Sequence, residues 1–355
     1  MTDDRHERRR RRDVPDDPLL LPRVSSRRAR EIASRFSESS IVVIGDAMLD
    51  RFIVGRVTRL SPEAPVPVVA FHHETYRIGG AANVAHNVAS LGGRATLVAV
   101  TGRDDGAAVL AQACHTAGVA PSLVGDPARP TTIKMRIVTD RNQQVARVDY
   151  EDDADIAGDI EQRVAAAVQQ QVARANAVVV SDYLKGCVTR AIIGAALTAA
   201  SARRIPVLVD PKIPHIDAYA GATLVTPNHH EAEIASHSRV RTHDEARLAA
   251  RRFLERARCD NVLMTRGDQG MWLLAGETEG YLPAAAREVA DVTGAGDTVI
   301  ATMALAMAAG ATLVEAVHLA NEAAGIVVGR FGPAVVRVEE LVRVIQEGEG
   351  EGEGV

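Results

Sequence analysis

The stretch AVVVSDYLKGCVTRAIIGAALTAASARRIPVLVDP, residues 177–211, decides the fold. It opens on a continuous apolar run, 177–182, and closes on another, 206–211. An Ala-rich helical pattern, 189–203, lies between them. Apolar runs without alternation suit parallel strands covered on both faces. The same pattern recurs along the chain. IVVIGD (41–46), ATLVAV (95–100), ATLVTPN (222–228) and NVLMTRG (261–267) read as further buried strands. Helical patterns fall at about 80–91, 104–117, 158–174, 242–257, 294–309 and 313–329. Such alternation predicts an α/β fold, a doubly wound, mostly parallel sheet with helices on both faces. Asp46, Asp182, Asp210, Asn228 and Arg266 collect at strand C-terminal ends. In sheets of this kind that edge binds ligands.

Two β-rich segments, 51–78 and 131–150, interrupt the alternation. APVPVVAF (64–71) carries prolines, which suit an edge strand or loop. TTIKMRIVTDRNQQVARVDYE (131–151) reads as a hairpin turning near Asp140–Asn142. Together they predict a small β-sheet lid, a device that excludes water from a reacting site.

The bulk numbers exclude several function classes. The chain has 355 residues, 46% of them hydrophobic but only 3% aromatic, so Ala, Val, Leu and Ile must fill the core. Its net charge of -5 lacks the basic excess of a nucleic-acid surface, and nucleic acid is not expected as a partner. Cys114, Cys187 and Cys259 are far apart and match no metal-ligand spacing, which suits reduced thiols in a cytoplasmic protein. No apolar run reaches the roughly 18 residues of a membrane span. The basic segment 1–24, with Arg8 to Arg12, and the acidic tail EGEGEGEGV (347–355) are expected to be disordered around a folded domain at 25–346. The Arg run leaves RNA binding open as a separate reading, tested by salt dependence.

Four stretches carry chemistry. In DVTGAGDT (291–298), the N–H groups of Gly294, Ala295 and Gly296 fall at a helix start, where unpaired donors and the helix dipole attract anions. Asp297 beside them is placed to take a proton from an attacking hydroxyl. A plain helix cap explains the same residues equally well. In IGGAANVAHNVASLGG (78–93), Gly79 and Gly80 let a ligand approach the backbone, and Asn83 sits in the first turn. In GDAMLD (45–50), Asp46 and Asp50 can hold sugar hydroxyls. In TPNHHEAE (226–233), Asn228 and Glu231 can organise a hydrated Mg²⁺ beside phosphates, or simply form a capping box. His229 and His230 read as surface residues. No GxxxxGK[ST] loop occurs.

Taken together, these stretches resemble the PfkB, or ribokinase-like, carbohydrate kinases over about residues 40–340. GGAANVA (79–85), DVTGAGD (291–297), NHHE (228–231) and TRGDQG (265–270) carry the resemblance. It implies a ribokinase-like sheet with a lid, Asp297 as catalytic base, and an anion hole at Gly294 to Asp297. It further implies ATP with Mg²⁺, with Asn228 and Glu231 near the phosphates. Arg266, Gly267 and Asn321 of ANEAAG (320–325) would border the nucleotide. GDAMLDRF, SPEAPVPVV, RNQQVARVDYE, SDYLKG and VDPK are similar to the D-glycero-D-manno-heptose 7-phosphate kinases of lipopolysaccharide precursor synthesis. That similarity implies transfer to the anomeric hydroxyl of a sugar phosphate held by Asp46, Asp50, Gly79, Gly80 and Asn83. Lys134, Arg136, Arg147 and Lys185 are candidates for its phosphate, and Lys212 could approach either substrate's. Many such kinases are fused to a nucleotidyltransferase. The tail after 346 carries none, so a stand-alone kinase is expected, as is a homodimer through the lid. The alternatives are another PfkB sugar or nucleoside kinase, and a non-catalytic sugar-binding regulator on the same fold.

Overall fold

The computed structural model describes residues 19–353, apart from 142, 287 and 331–333. Arg8 to Arg12 therefore lie outside the described residues. The elements run α1 (Ser26–Ala33), β1 (Ser40–Gly45), β2 (Ala47–Leu60), β3 (Pro67–Gly80), α2 (Ala81–Ser90), β4 (Arg94–Thr101), α3 (Asp105–Thr116) and β5 (Val119–Gly125). Next come β6 (Ile133–Thr139), β7 (Gln144–Tyr150), α4 (Gly158–Val172), β8 (Ala177–Ser181), α5 (Arg190–Arg203), β9 (Val207–Asp210), β10 (Leu224–Val225) and α6 (His229–Ser236). The last are α7 (His243–Ala257), β11 (Asn261–Thr265), β12 (Met271–Ala275), β13 (Thr278–Leu282), α8 (Ala295–Ala308), α9 (Leu313–Val328) and α10 (Val338–Glu353).

Nine strands form the main sheet in the order β13-β12-β11-β10-β9-β8-β1-β4-β5. The strands from β11 to β5 in that order pair in parallel, and β12 and β13 add antiparallel at one edge. Alternate residues of β1 show why the sheet is apolar throughout. Ile41 and Val43 pack into a core shared with α2, α8 and α9, while Val42 and Ile44 enter a second core against α4, α5 and α7. Side chains of a strand point to opposite faces, so a sheet covered twice needs apolar residues at every position. Sequence reading missed β5, β12 and β13. VAPSLVG mixes a proline and a serine into its run, and β12–β13 is a hairpin in a stretch to which sequence reading assigned no element.

The lid forms as expected, a second sheet in the order β3-β2-β6-β7. Pro67 opens β3, an edge strand. Long β2 leaves the main layer just after β1 and carries Asp50 into the lid. Part of each end expected to be disordered is ordered among the described residues. Leu19 and Leu21 run along β13 through Tyr281 N–H to Leu19 O (2.7 Å) and Leu21 N–H to Tyr281 O (2.9 Å), and Leu21 and Val24 are buried. The acidic tail continues α10 to Glu353, because Glu349 accepts the Ser26 N–H at 2.7 Å and also its hydroxyl at the start of α1. A carboxylate there satisfies orphan helix donors and meets the positive end of the dipole.

Gly45 ends β1 where β8 presses closest. A Cβ there would sit 2.0 Å from Ser181 O, a backbone atom that cannot step aside. Gly194 in α5 has nothing within 4 Å of the same position. Gly45→Ala is expected to cost about 1–3 kcal/mol in urea unfolding, the usual range for overpacking. Gly194→Ala is expected to be neutral or stabilising by roughly 0.4–1 kcal/mol. Equal midpoints for the two variants would contradict this packing.

Candidate active site

Helix α8 is buried nearly all round, so it lies inside the protein with its first turn at the sheet's ligand edge. Gly294 caps it at φ +81°, a left-handed conformation that glycine adopts without strain. The first-turn N–H groups lack i−4 acceptors. One of the three expected donors is partly used, since Ala295 N–H closes a turn on Val292 O at 3.2 Å. A Cβ on Gly296 would meet no atom within 4 Å, so the missing side chain leaves open cavity over the helix start.

Asp297 is 7% exposed, and both its carboxylate oxygens are held. Asn83 Nδ2 donates to Oδ2 at 2.7 Å, and Tyr183 Oη donates to Oδ1 at 2.6 Å. Asn83 is itself fixed by a buried polar bridge between α2 and α8. Asn87 donates to Asn83 O at 2.9 Å and accepts from Thr298 Oγ1 at 2.9 Å. Burial pushes the Asp297 carboxyl up, while the Asn83 and Tyr183 hydrogen bonds and nearby Lys212 oppose that rise. A carboxylate raised in this way is a better proton acceptor than one in water.

Two cavities meet at Asp297. The larger, about 390 Å³, is lined by Asp50, Gly79, Gly80, Asn83, Lys134, Arg136, Arg147, Lys185, Gly294 and Asp297, with Met48, Ile78, Tyr183 and Thr293. It gathers every sequence-predicted sugar residue except Asp46. That residue is 2% exposed and faces inward. Its Oδ2 accepts the N–H groups of Tyr183 (2.8 Å) and Lys185 (3.1 Å), and its Oδ1 accepts that of Cys187 (2.9 Å). Asp46 thus builds the loop after β8 rather than touching a sugar. Sequence reading misplaced it because a polar residue at a strand end serves either purpose.

The lid side of this cavity is charged. Lys134 pairs with Asp149 (3.3 Å) and with Glu151, and Lys185 pairs with Glu151 (2.9 Å). Arg147 forks onto Asp149 at 2.8 and 2.9 Å, and Arg136 pairs with Asp50. Burial pushes Glu151 up, yet hydrogen bonds from Lys134 and Lys185 outweigh it and hold its carboxyl below the usual range. Four cations thus meet three carboxylates. Arg136 and Arg147 are direct cross-strand neighbours on β6 and β7. Like charges opposite one another destabilise a sheet. The pair makes sense around an anion.

The smaller cavity, about 230 Å³, is lined by Tyr183, Asp210, Lys212, Asn228, Glu231, Gly294, Gly296 and Asp297, among others. Asn228 and Glu231 form a complete capping box on α6, at 2.9 Å in both directions, and also line the cavity. The two readings of this motif are therefore compatible. His229 and His230 are exposed. Burial lifts the Asp210 carboxyl to about 8, with Lys212 opposing and Asp297, Glu231 and Asp182 adding to it. Beyond lies an apolar groove of about 480 Å³ that includes Gly267, Ala295, Gly296, Asn321 and Gly325. Arg266 does not line it. Its guanidinium turns to Thr242 O (3.3 Å) and to Gln269. Asn321 donates to Pro283 O at 2.9 Å, fixing the groove wall.

A sequence profile described as "pfkB family carbohydrate kinase" matches residues 38–339. The chain belongs to this family. It is therefore a carbohydrate kinase, and its pfkB relatives include a D-beta-D-heptose 7-phosphate kinase of Bordetella bronchiseptica. The two are 44% identical over 309 residues, covering 87% of this chain and 97% of the relative. The Bifunctional protein HldE of Hahella chejuensis is 45% identical over 323 residues, or 90% of this chain. The match spans 66% of that relative's length. Among solved structures, the tetrameric inhibited form of phosphofructokinase-2 from Escherichia coli aligns with TM-score 0.71 at 19% identity, covering 87% of this chain and 98% of that one. Arabidopsis thaliana ribokinase complexed with ribose and ATP aligns at TM-score 0.66 and 20% identity, with the same coverages. These likenesses establish the ribokinase-like fold. Among the described residues no helix is long and apolar enough to cross a membrane.

Tyr183 is the residue that sequence reading left without a role. Its signal was its place, just past the end of β8 at the ligand edge. Tyr183→Phe removes a hydrogen bond that holds the Asp297 carboxyl down. The group should then keep its proton to higher pH, seen as an upward shift of its carboxyl titration by ¹³C NMR. An unchanged or downward titration would contradict the assignment.

Proposed function

We propose that this chain phosphorylates D-glycero-D-manno-heptose 7-phosphate at its anomeric C1 hydroxyl, using ATP, to give heptose 1,7-bisphosphate for lipopolysaccharide core precursor synthesis. The observation that carries this reading is the cation-rich lid beside Asp297, centred on the facing Arg136 and Arg147. With Lys134 and Lys185 the pair makes four cations against three carboxylates, one positive charge in excess. A sugar that already bears a phosphate suits that excess. The relative named as a D-beta-D-heptose 7-phosphate kinase supports the same substrate.

In this reading Asp50, Gly79, Gly80 and Asn83 hold the sugar, and Lys134, Arg136, Arg147 and Lys185 receive its 7-phosphate by exchanging partners with Asp50, Asp149 and Glu151. Asp297 accepts the C1 hydroxyl proton as the oxygen attacks. The first-turn N–H groups of α8 hydrogen-bond the transferring phosphoryl oxygens, a preorganised arrangement that usually supplies the largest catalytic term. The apolar groove at Gly267 and Asn321 takes the adenine. Asp210 and Glu231 fit the water shell of a magnesium ion, since both are carboxylates that line the smaller cavity beside the α8 helix start. Magnesium, when bound, supplies positive charge against the ATP phosphates. The lid excludes water that would compete with the sugar. Cys114, Cys187 and Cys259 are buried free thiols, which suits the cytoplasm. The lid exposes Leu60, Val66, Phe71 and Tyr150 and ends in open strand edges, and we assign it the homodimer contact.

Three outcomes are expected. ATP consumption with heptose 7-phosphate should exceed that with fructose 6-phosphate or ribose, and phosphorus NMR should show a new anomeric phosphate; a preference for either other sugar overturns the substrate assignment. Asp297→Asn should lower turnover by roughly 10²–10⁴-fold with ATP still bound, and near-normal turnover would remove the base role. Light scattering at micromolar concentration should report a dimer; a monomer would count against the lid contact.

A further inference from the structure

Lys212 follows β9, and its ammonium shares the smaller cavity with Gly294, Gly296, Asn228 and Asp297. Nζ donates to Glu231 Oε1 at 2.6 Å and to Pro211 O at 2.9 Å. It lies 5.8 Å from the centroid of the Tyr183 ring, whose hydroxyl bonds Asp297. A lysine ammonium has three donors, so one remains for a ligand.

The backbone of Lys212 is held separately from its head. Its N–H donates to Tyr219 Oη at 2.9 Å, and that oxygen lies 3.1 Å from Lys212 O and 3.1 Å from Asp182 Oδ2. Tyr219 and Asp182 are fully buried. His215 Nδ1 is 2.6 Å from the same Asp182 oxygen. A rigid base thus carries a flexible four-carbon stem. The Lys212 side chain is 28% exposed against 10% for Glu231, so the lysine is the more cavity-facing member of the pair. Its hydrogen bonds to a carboxylate and a carbonyl are those of a donor, which suits an anion-binding head rather than a base.

We propose that Lys212 is a catalytic residue whose ammonium contacts the phosphoryl group in transfer, sharing it with the first-turn N–H groups of α8. The inference rests on the ATP-dependent kinase reading above. As transfer proceeds, a bond forms between the sugar oxygen and the γ-phosphorus. The bond from that phosphorus to the β,γ-bridging oxygen breaks, and its electron pair stays on ADP. The hydroxyl proton passes to Asp297, and Lys212 gives up none. Moving onto the phosphoryl group frees Glu231 Oε1, which would then be available to the water shell of a bound magnesium ion, while Oε2 stays on the Asn228 N–H.

The rival explanation is that Lys212 only neutralises Glu231. A double-mutant cycle separates the two, comparing the full-length parent with Lys212→Met, Glu231→Gln and the double variant. The double variant keeps the local charge balance and guards against a misfolded single variant. Calorimetry would measure binding of ADP with magnesium, with and without aluminium fluoride as mimic of the phosphoryl group. Lys212→Met should retain ADP affinity within about threefold but lose at least about tenfold of the extra affinity given by the fluoride, with turnover down about 100-fold. Adding Lys212→Met to Glu231→Gln should cost a further tenfold or more in turnover. The proposal is overturned if that addition costs nothing, or if ADP affinity falls as far as that of the fluoride complex. Failure of the parent to bind ADP would instead sink the kinase reading itself.

Discussion

The buried carboxylate of Asp46 is the contact on which the active edge depends. A charge at 2% exposure is tolerable only when its hydrogen bonds are supplied, and three backbone N–H groups of residues 183–187 supply them. Its carbonyl accepts Ala81 N–H at 3.0 Å at the start of α2. One residue at the end of β1 therefore ties the β8 loop to α2. Leu184 in that loop holds φ +54°, a left-handed conformation unusual for leucine. The Asp46 and Asp182 contacts hold it there, since Leu184 N–H donates to Asp182 Oδ1 at 2.9 Å. Tyr183 and Asn83 then reach Asp297 from opposite ends of this tie.

Charge in the site is balanced in the resting protein by partners that a ligand can replace. Lys134, Lys185, Arg136 and Arg147 rest on Asp50, Asp149 and Glu151, and Lys212 rests on Glu231. Half-buried pairs of this kind avoid leaving bare charge in a cavity. They also favour anionic ligands over neutral ones, because a neutral ligand displaces a carboxylate without replacing its charge.

Much of this was legible in the sequence. Continuous apolar runs gave the parallel strands because burial on both faces demands them, and prolines marked β3 as an edge. The glycine motifs were legible because only glycine leaves backbone open to a ligand. The failures at the site share one cause. Asp46, Arg266 and Tyr183 all stand where a strand ends, and sequence does not say which way a side chain turns there. Asp46 turned inward to N–H donors, Arg266 turned to Thr242, and Tyr183 turned to the carboxylate. The tail misled for a related reason, since EGEGEGE has no packing surface of its own and takes its anchor from Ser26.

The hydrogen bond between Asn83 and Asp297 joins residues 214 positions apart. Closing so long a loop is entropically slow and becomes favourable only once the intervening strands have paired. During synthesis the segments that build the lid and the loop after β8 leave the ribosome well before Asp297 does. The part of the protein that would recognise the sugar is thus made ahead of the group that would activate it. A chain cut short before α8 would lack both Asp297 and the buried helix against which α2 and its Asn83 pack.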